Sequence, residues 1–140
     1  MTTQLNPYIH FKNNAKQAFE YYQSILGGKL EMHTFGEFNA TEDETEKDKI
    51  MHGMLTLDSG EAIMGADTPK SMSYEGGLSG FSISLSGDST EELRKIFSNF
   101  CQSGTVVMPL EKQMWGDEFG MVADQFGVNW MINIHDEQSN

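Results

Sequence analysis

The chain is 140 residues long, enough for one domain of ordinary size or two small modules sharing a core, with about two thirds of the unfolded surface open to burial. It carries 21 acidic against 9 basic residues, a formal net charge of −12 that repels nucleic-acid phosphates and anionic lipid, and it has no apolar run approaching the ~18 residues of a membrane span. The single cysteine, Cys101, excludes an intramolecular disulfide framework and a cysteine metal cluster; with no basic-then-apolar leader in the first residues, a reducing, cytoplasmic setting is expected, without nucleic-acid or membrane partners.

Residues 5–11 alternate, with Pro7, Ile9 and Phe11 on one side and Asn6, Tyr8 and His10 on the other, the period of a half-buried strand. Asn13 or Asn14 is placed to cap a helix whose stripe is Ala15, Ala18, Phe19, Tyr22, Ile25 and Leu26, and Gly27-Gly28 ends it. Lys29 to Gly36 reads as a second strand. Six acids between Glu37 and Asp48 then read as a long exposed connection. Lys49 to Leu57 and Glu61 to Ala66 read as a hairpin about the turn Asp58-Ser59-Gly60, and residues 67–79, with Pro69, Gly76 and Gly77, as a linker.

After the linker the order begins again. Phe81, Ile83 and Leu85 alternate with Gly80, Ser82 and Ser84, and Ser89-Thr90-Glu91-Glu92 has capping-box spacing before a stripe of Leu93, Ile96, Phe97, Phe100 and Cys101. Gly104 ends that helix; Thr105 to Met108, Phe119 to Ala123 and Val128 to Ile134 supply three more strands, the last two joined by a type I turn from Asp124 to Gly127. Phe11 is matched with Leu85, Tyr22 with Phe97 and Met64 with Met131, an internal repeat of a whole module. The expected fold is α+β: a single domain over 1–140 with two βαβββ modules, about 5–66 and about 80–135, forming one curved mixed sheet with helices on one face and an open cleft on the other.

His10 shares the Tyr8 side of its strand, opposite Ile9 and Phe11, so it points into that cleft, where an imidazole binds an anion, acts as a general base, or is simply satisfied by nearby hydroxyls. His52 is read the same way, His33 as a surface strand residue, and His135 as an exposed residue past the last strand. Ser82 and Ser84 face as His10 does, as hydrogen-bonding groups, since no nucleophile elbow, dinucleotide fingerprint or Walker pattern occurs. Of ten methionines, Met32, Met51, Met54, Met64, Met121 and Met131 fall in strands, as a deformable pocket floor or an ordinary soft core. Trp115, on a turn before Gly116, is expected at the pocket mouth, and Trp130 against the helices if Met131 faces the cleft; the alternative is that both tryptophans are core.

Several stretches carry a family likeness: Asn6-Pro7-Tyr8-Ile9-His10-Phe11, Ala18-Phe19-Glu20-Tyr21-Tyr22 with Leu26-Gly27-Gly28, Met51-His52-Gly53, Trp115-Gly116-Asp117-Glu118-Phe119-Gly120, and Asp124-Gln125-Phe126-Gly127-Val128-Asn129-Trp130. Over residues 6 to about 134 the chain resembles the PhnB-like subgroup of the vicinal oxygen chelate superfamily, which includes glyoxalase I, extradiol dioxygenases and the bleomycin and fosfomycin resistance proteins; Gln125 stands where the superfamily's turn often has Pro. The resemblance implies a homodimer. It also implies where a divalent ion would be held in the metal enzymes: a His or Gln early in the first strand of each module and a Glu in each last strand, which here fall on Asn6, Gly80, Met64 and Met131. These donors do not suit such an ion, so no metal and no cofactor are expected. The expected function is metal-independent binding of a small, partly apolar or aromatic molecule by Tyr8, His10, His52, Met64, Ser82, Trp115 and Met131, with no catalytic residue assigned. The alternatives are a metal-dependent lyase, dioxygenase or transferase of the superfamily type, and a structural or regulatory dimer with a collapsed cleft.

Overall fold

The computed structural model describes residues 4–38, 41–70 and 82–135. Most of the expected linker, with Gly80 and Phe81, lies outside the described residues. The chain divides into two compact units, Met1–Gly76 and Gly77–Asn140. The fold is α+β: two four-stranded mixed sheets, each carrying one helix, and neither closed into a barrel.

In the first unit, β1 (Tyr8–Phe11), α1 (Ala15–Leu26), β2 (Lys29–Thr34), β3 (Ile50–Thr56) and β4 (Ala62–Asp67) give a sheet of order β1-β4-β3-β2. β1 runs parallel to β4 and the other pairings are antiparallel. The apolar stripe of α1 buries Ala15, Ala18, Phe19 and Tyr22, and the strands return Ile9, Phe11, Leu55 and Ile63. Each fully buried side chain of this size stabilises the unit by about 1.5–3 kcal/mol. Phe19 meets Phe11 edge to face at 5.9 Å and seats over Gly53 and Gly65. Cβ atoms there would lie 2.7 Å from the Phe19 ring and 2.6 Å from the Ile9 carbonyl oxygen, so the helix approaches the sheet this closely because both residues are glycine.

Asn14 occupies the N-cap position of α1, but its side chain makes no capping bond. The carboxylate of Asp67 takes that role: Oδ1 accepts the Ala15 N–H and Oδ2 the Ile50 N–H, both at 2.9 Å. An anion at a helix N-terminus is favoured by the exposed N–H groups and the dipole, and this one ties the end of β4 to the starts of α1 and β3. The acidic connection is likewise not wholly solvated. Glu46 is 5% exposed, accepts the Lys70 N–H at 2.9 Å and pairs with Lys49 Nζ at 2.8 Å. Sequence alone could not separate Glu46 from its neighbours, because its partner Lys70 is 24 residues away.

In the second unit, β5 (Ile83–Gly87), α2 (Thr90–Ser103), β6 (Thr105–Lys112), β7 (Glu118–Ala123) and β8 (Asn129–Ile134) give the order β5-β8-β7-β6, with β5 parallel to β8. Leu93, Ile96, Phe97 and Phe100 of α2 are buried, while Cys101 is only half-buried at the margin of the stripe, its thiol pKa pushed up by that burial. Ser89 takes the N-cap position without a side-chain capping bond; its carbonyl accepts the Leu93 N–H at 2.9 Å. The turn after β7 is built on Asp124, whose Oδ1 accepts the N–H groups of Phe126 and Val128 and whose Oδ2 accepts the Trp130 indole N–H at 2.8 Å. Trp130 is 0% exposed and stacks on Phe100 of α2 at 4.6 Å, so it does face the helix.

The ladders correct the alignment of the repeat. Met64 and Met131 do correspond: each pairs with a methionine of the preceding strand, Met54 and Met121. Tyr8 pairs with Met64 and Ser84 with Met131, however, so Ile9 and not Phe11 is level with Leu85. Gly53 lies against Phe19 and Gly120 against Phe97, which makes Phe19 the counterpart of Phe97 and Tyr22 that of Phe100. A slip of two residues in a strand, or of one turn in a helix, keeps every apolar residue on its own face, so periodicity cannot detect it.

Candidate functional site

The face of each sheet opposite its helix carries the residues with chemistry. In the first unit, alternation and register place Tyr8, Met64, Met54 and Glu31 in one cross-strand row of that face, and beyond it the pairs His10 with Ala66 and His52 with His33. His10 is level with the small, buried Ala66, and the Tyr8 ring leans towards both histidines, with centroids at 5.4 Å from His10 and 6.3 Å from His52. Burial pushes the Tyr8 hydroxyl pKa up, so at neutral pH it stays protonated and can donate a hydrogen bond. Tyr8, His10, His52 and Met64 thus share one face. His33, opposite His52 in the ladder, turns to other partners: its ring packs edge to face on Phe38 at 5.4 Å and Nδ1 lies 3.8 Å from Glu37.

In the second unit the corresponding rows are Ser84, Met131, Met121 and Met108, then Ser86, Asn133, Phe119 and Glu111. Ser82 lies before the start of β5 and outside the ladder; the residue beside Met131 is Ser84. Trp115 sits on the β6–β7 turn, which Gly116 closes with a φ of +101° and an N–H donated to the Gln113 carbonyl at 3.0 Å. Its ring is 59% exposed and meets Phe119 edge to face at 6.3 Å. The two tryptophans therefore differ, one in the core and one at the surface beside an aromatic of the helix-free face.

A cluster that sequence reasoning missed stands at the end of that face. Asp117 Oδ2 accepts the Asn133 amide N–H at 3.1 Å and faces His135 Nδ1 at 3.3 Å. His135 is exposed as expected, but it is not a detached tail residue. The available signal was the Trp115-Gly116-Asp117 turn, whose hairpin brings Asp117 back against the residues following β8.

The metal positions of the fold family find no suitable donors. Met64 and Met131 offer thioethers, Asn6 an amide, and Gly80 lies outside the described residues; the residues that pair with the two methionines, Tyr8 and Ser84, offer hydroxyls. Among the described residues no group of three or more His, Cys, Asp or Glu could hold a metal ion. The described residues at these positions do not fit the divalent ion. Among the described residues no helix is long and apolar enough to cross a membrane.

Comparison with known proteins places this geometry in a family. Residues 3–133 match the family described as 3-demethylubiquinone-9 3-methyltransferase. Protein YjdN of Escherichia coli (strain K12) is 31% identical over 145 residues, covering 96% of this chain and 97% of its own. The crystal structure of protein PA1353 from Pseudomonas aeruginosa is 40% identical with a TM-score of 0.83, covering 96% of this chain and 98% of that one. The putative 3-demethylubiquinone-9 3-methyltransferase, PhnB protein, from Bacillus cereus has the same fold, with a TM-score of 0.74 at 20% identity over 95% of this chain and all of that one. The glyoxylase/bleomycin resistance protein/dioxygenase domain from Frankia sp. EAN1pec shares the fold, with a TM-score of 0.65 at 12% identity over 99% of this chain and 95% of that one, and the chain itself belongs to this PhnB-like, 3-demethylubiquinone-9 3-methyltransferase family.

Proposed function

We propose that this protein binds a small, partly apolar or aromatic molecule on its helix-free sheet faces, without a metal ion. The observation that carries this reading is the composition of those faces. Methionine pairs, Met54 with Met64 and Met121 with Met131, provide an adaptable apolar floor, and Tyr8, His10 and His52 group polar atoms beside one of them. Trp115 adds an exposed ring next to Phe119 for stacking. Ser82 is retained as a lesser contact, through its backbone continuity with Ser84. A homodimer in a reducing cytoplasm completes the reading, supported by the exposed apolar residues Val106, Val107 and Met108 on the edge strand β6 and by the lone thiol. Methyl transfer, which the family's description names, would be an activity added to this binding.

The test is thermal denaturation and tryptophan emission of the intact protein with a panel of phenols, naphthols, aryl carboxylates and aliphatic acids. Binding at a hundredfold excess over Kd stabilises the folded state by about 2.7 kcal/mol. At least one aromatic class should raise Tm and alter the emission in a manner that depends on Trp115. No response to any aromatic compound at millimolar concentration would refute the reading.

A further inference from the structure

The Asp117–His135 pair lies one step beyond the Phe119–Asn133 row: Glu118 and Ile134 form the last ladder pair, so the residues flanking them return to the side of Phe119 and Asn133. Their side-chain contacts agree, since Asp117 Oδ2 meets both Asn133 Nδ2 and His135 Nδ1. The Asp117 side chain is 14% exposed and that of His135 55%. The Asn133 amide nitrogen also lies 3.4 Å from Nδ1 but already donates to Asp117; in the tautomer whose Nδ1–H donates to the Asp117 carboxylate, which only accepts, the lone pair is on Nε2. The backbone holds the ring as well, because the His135 N–H donates to the Gly87 carbonyl at 2.7 Å. Of the described charged residues nearby, Glu118 is engaged by Arg94 on the other side of the sheet, Lys112 is level with Glu118 in the ladder, Glu111 lies at the far end of the Phe119 row, and Asp88 follows Gly87, whose carbonyl accepts the His135 N–H. Successive side chains on one face are about 6.5–7 Å apart, so the hydroxyl of a ring stacked on one of them comes within hydrogen-bond reach of the next.

We propose that His135, oriented by Asp117, accepts the proton of the acidic hydroxyl of an aromatic ligand stacked against Trp115 and Phe119. The step breaks the ligand O–H bond and forms an N–H bond at Nε2; the electron pair stays on the oxygen as a phenolate, and the imidazolium formed faces the Asp117 carboxylate. Charge and atoms balance with no further reactant, and the reverse step returns the proton. The assignment names the ligand class, a phenol, and the acceptor; it rests on the aromatic-binding reading above.

The probe is 4-nitrophenol, whose phenolate absorbs visible light while its phenol does not, titrated by pH with excess intact protein, with binding measured separately by equilibrium dialysis. Bound probe should ionise about one pH unit below free probe, a tenfold change in its ionisation constant. His135→Gln should abolish that shift and Asp117→Asn reduce it, read on the probe that dialysis shows each variant still binds. Trp115→Ala should weaken binding itself. His135 is exposed and Asp117 mostly covered, so circular dichroism checks that the variants fold; the His135 variant alone decides the matter if the Asp117 variant does not fold. Probe that binds with unshifted ionisation, or a shift retained in His135→Gln, would overturn the proposal and leave the binding reading intact. Absence of any binding in dialysis would overturn the proposal, while the binding reading is decided by the full panel of aromatic compounds above.

Discussion

Replacing Trp130 tests whether the second unit is held together as its contacts indicate. The indole is 0% exposed, stacks on Phe100 at 4.6 Å, and donates its N–H to the buried carboxylate of Asp124 at 2.8 Å. Trp130→Ala removes the ring and opens a cavity between α2 and the sheet, at a cost of about 3–5 kcal/mol. Trp130→Phe retains a ring to stack on Phe100 but deprives a charged acceptor of a donor, which costs about 1.5–3 kcal/mol. Trp115→Ala is the control: its ring is 59% exposed, and surface substitutions of this kind stay within roughly 0.5 kcal/mol. Urea unfolding at neutral pH, followed by far-ultraviolet circular dichroism so that loss of an indole does not alter the probe, gives the three values directly. The midpoints should fall in the order Ala lowest, then Phe, then Trp115→Ala near the parent. Equal destabilisation by Trp115→Ala and Trp130→Ala, or a Trp130→Phe protein as stable as the parent, would refute the reasoning.

Gly65→Ala should destabilise the first unit by about 1–3 kcal/mol, because its Cβ would stand 2.6 Å from the Ile9 carbonyl oxygen and 3.2 Å from the Phe11 and Phe19 rings; an unchanged denaturation midpoint would contradict the close helix–sheet approach. Glu46 has a folded-state pKa held below the ordinary glutamate value, first by the Lys49 ammonium and then by the Lys70 N–H. Its contribution is therefore fully present above its unfolded pKa of about 4.3 and is lost as pH falls through the lower folded value. Thermal melts should show Glu46→Gln less stable than the parent at pH 7, with the difference closing at strongly acid pH; a difference that does not depend on pH would disprove this assignment. Elemental analysis of protein purified without chelators should find well under one equivalent of Ni, Zn, Fe or Mn per chain, and one tightly held ion per chain, lost on substituting residues of the helix-free faces, would overturn the metal-free reading.

The faces of the strands were legible because a strand assigns alternate residues to opposite sides whatever its partners are. Tyr8 and His10 could be set opposite Ile9 and Phe11, and Trp130 opposite Met131, before any strand was paired. The same logic failed for Ser82, since alternation gives the side of a residue and not whether the strand has begun. It failed also for the helix caps, where Asn14 and Ser89 are the right residue types in the right places and neither side chain makes the bond.

By itself the sequence determined the element order, the doubled βαβββ module, the apolar stripe of each helix and the family, all of which depend on patterns within a few residues or on likeness along the chain. Tertiary structure decided the register between the copies, the approach of the Tyr8 ring to His52, the anchoring of Glu46, the capping of α1 by Asp67 from 52 residues away, and the meeting of Asp117 with His135. Each of these depends on which strand lies beside which. That is fixed by the burial of whole faces and the closure of hydrogen-bond ladders, so it becomes visible only once the chain has folded back on itself.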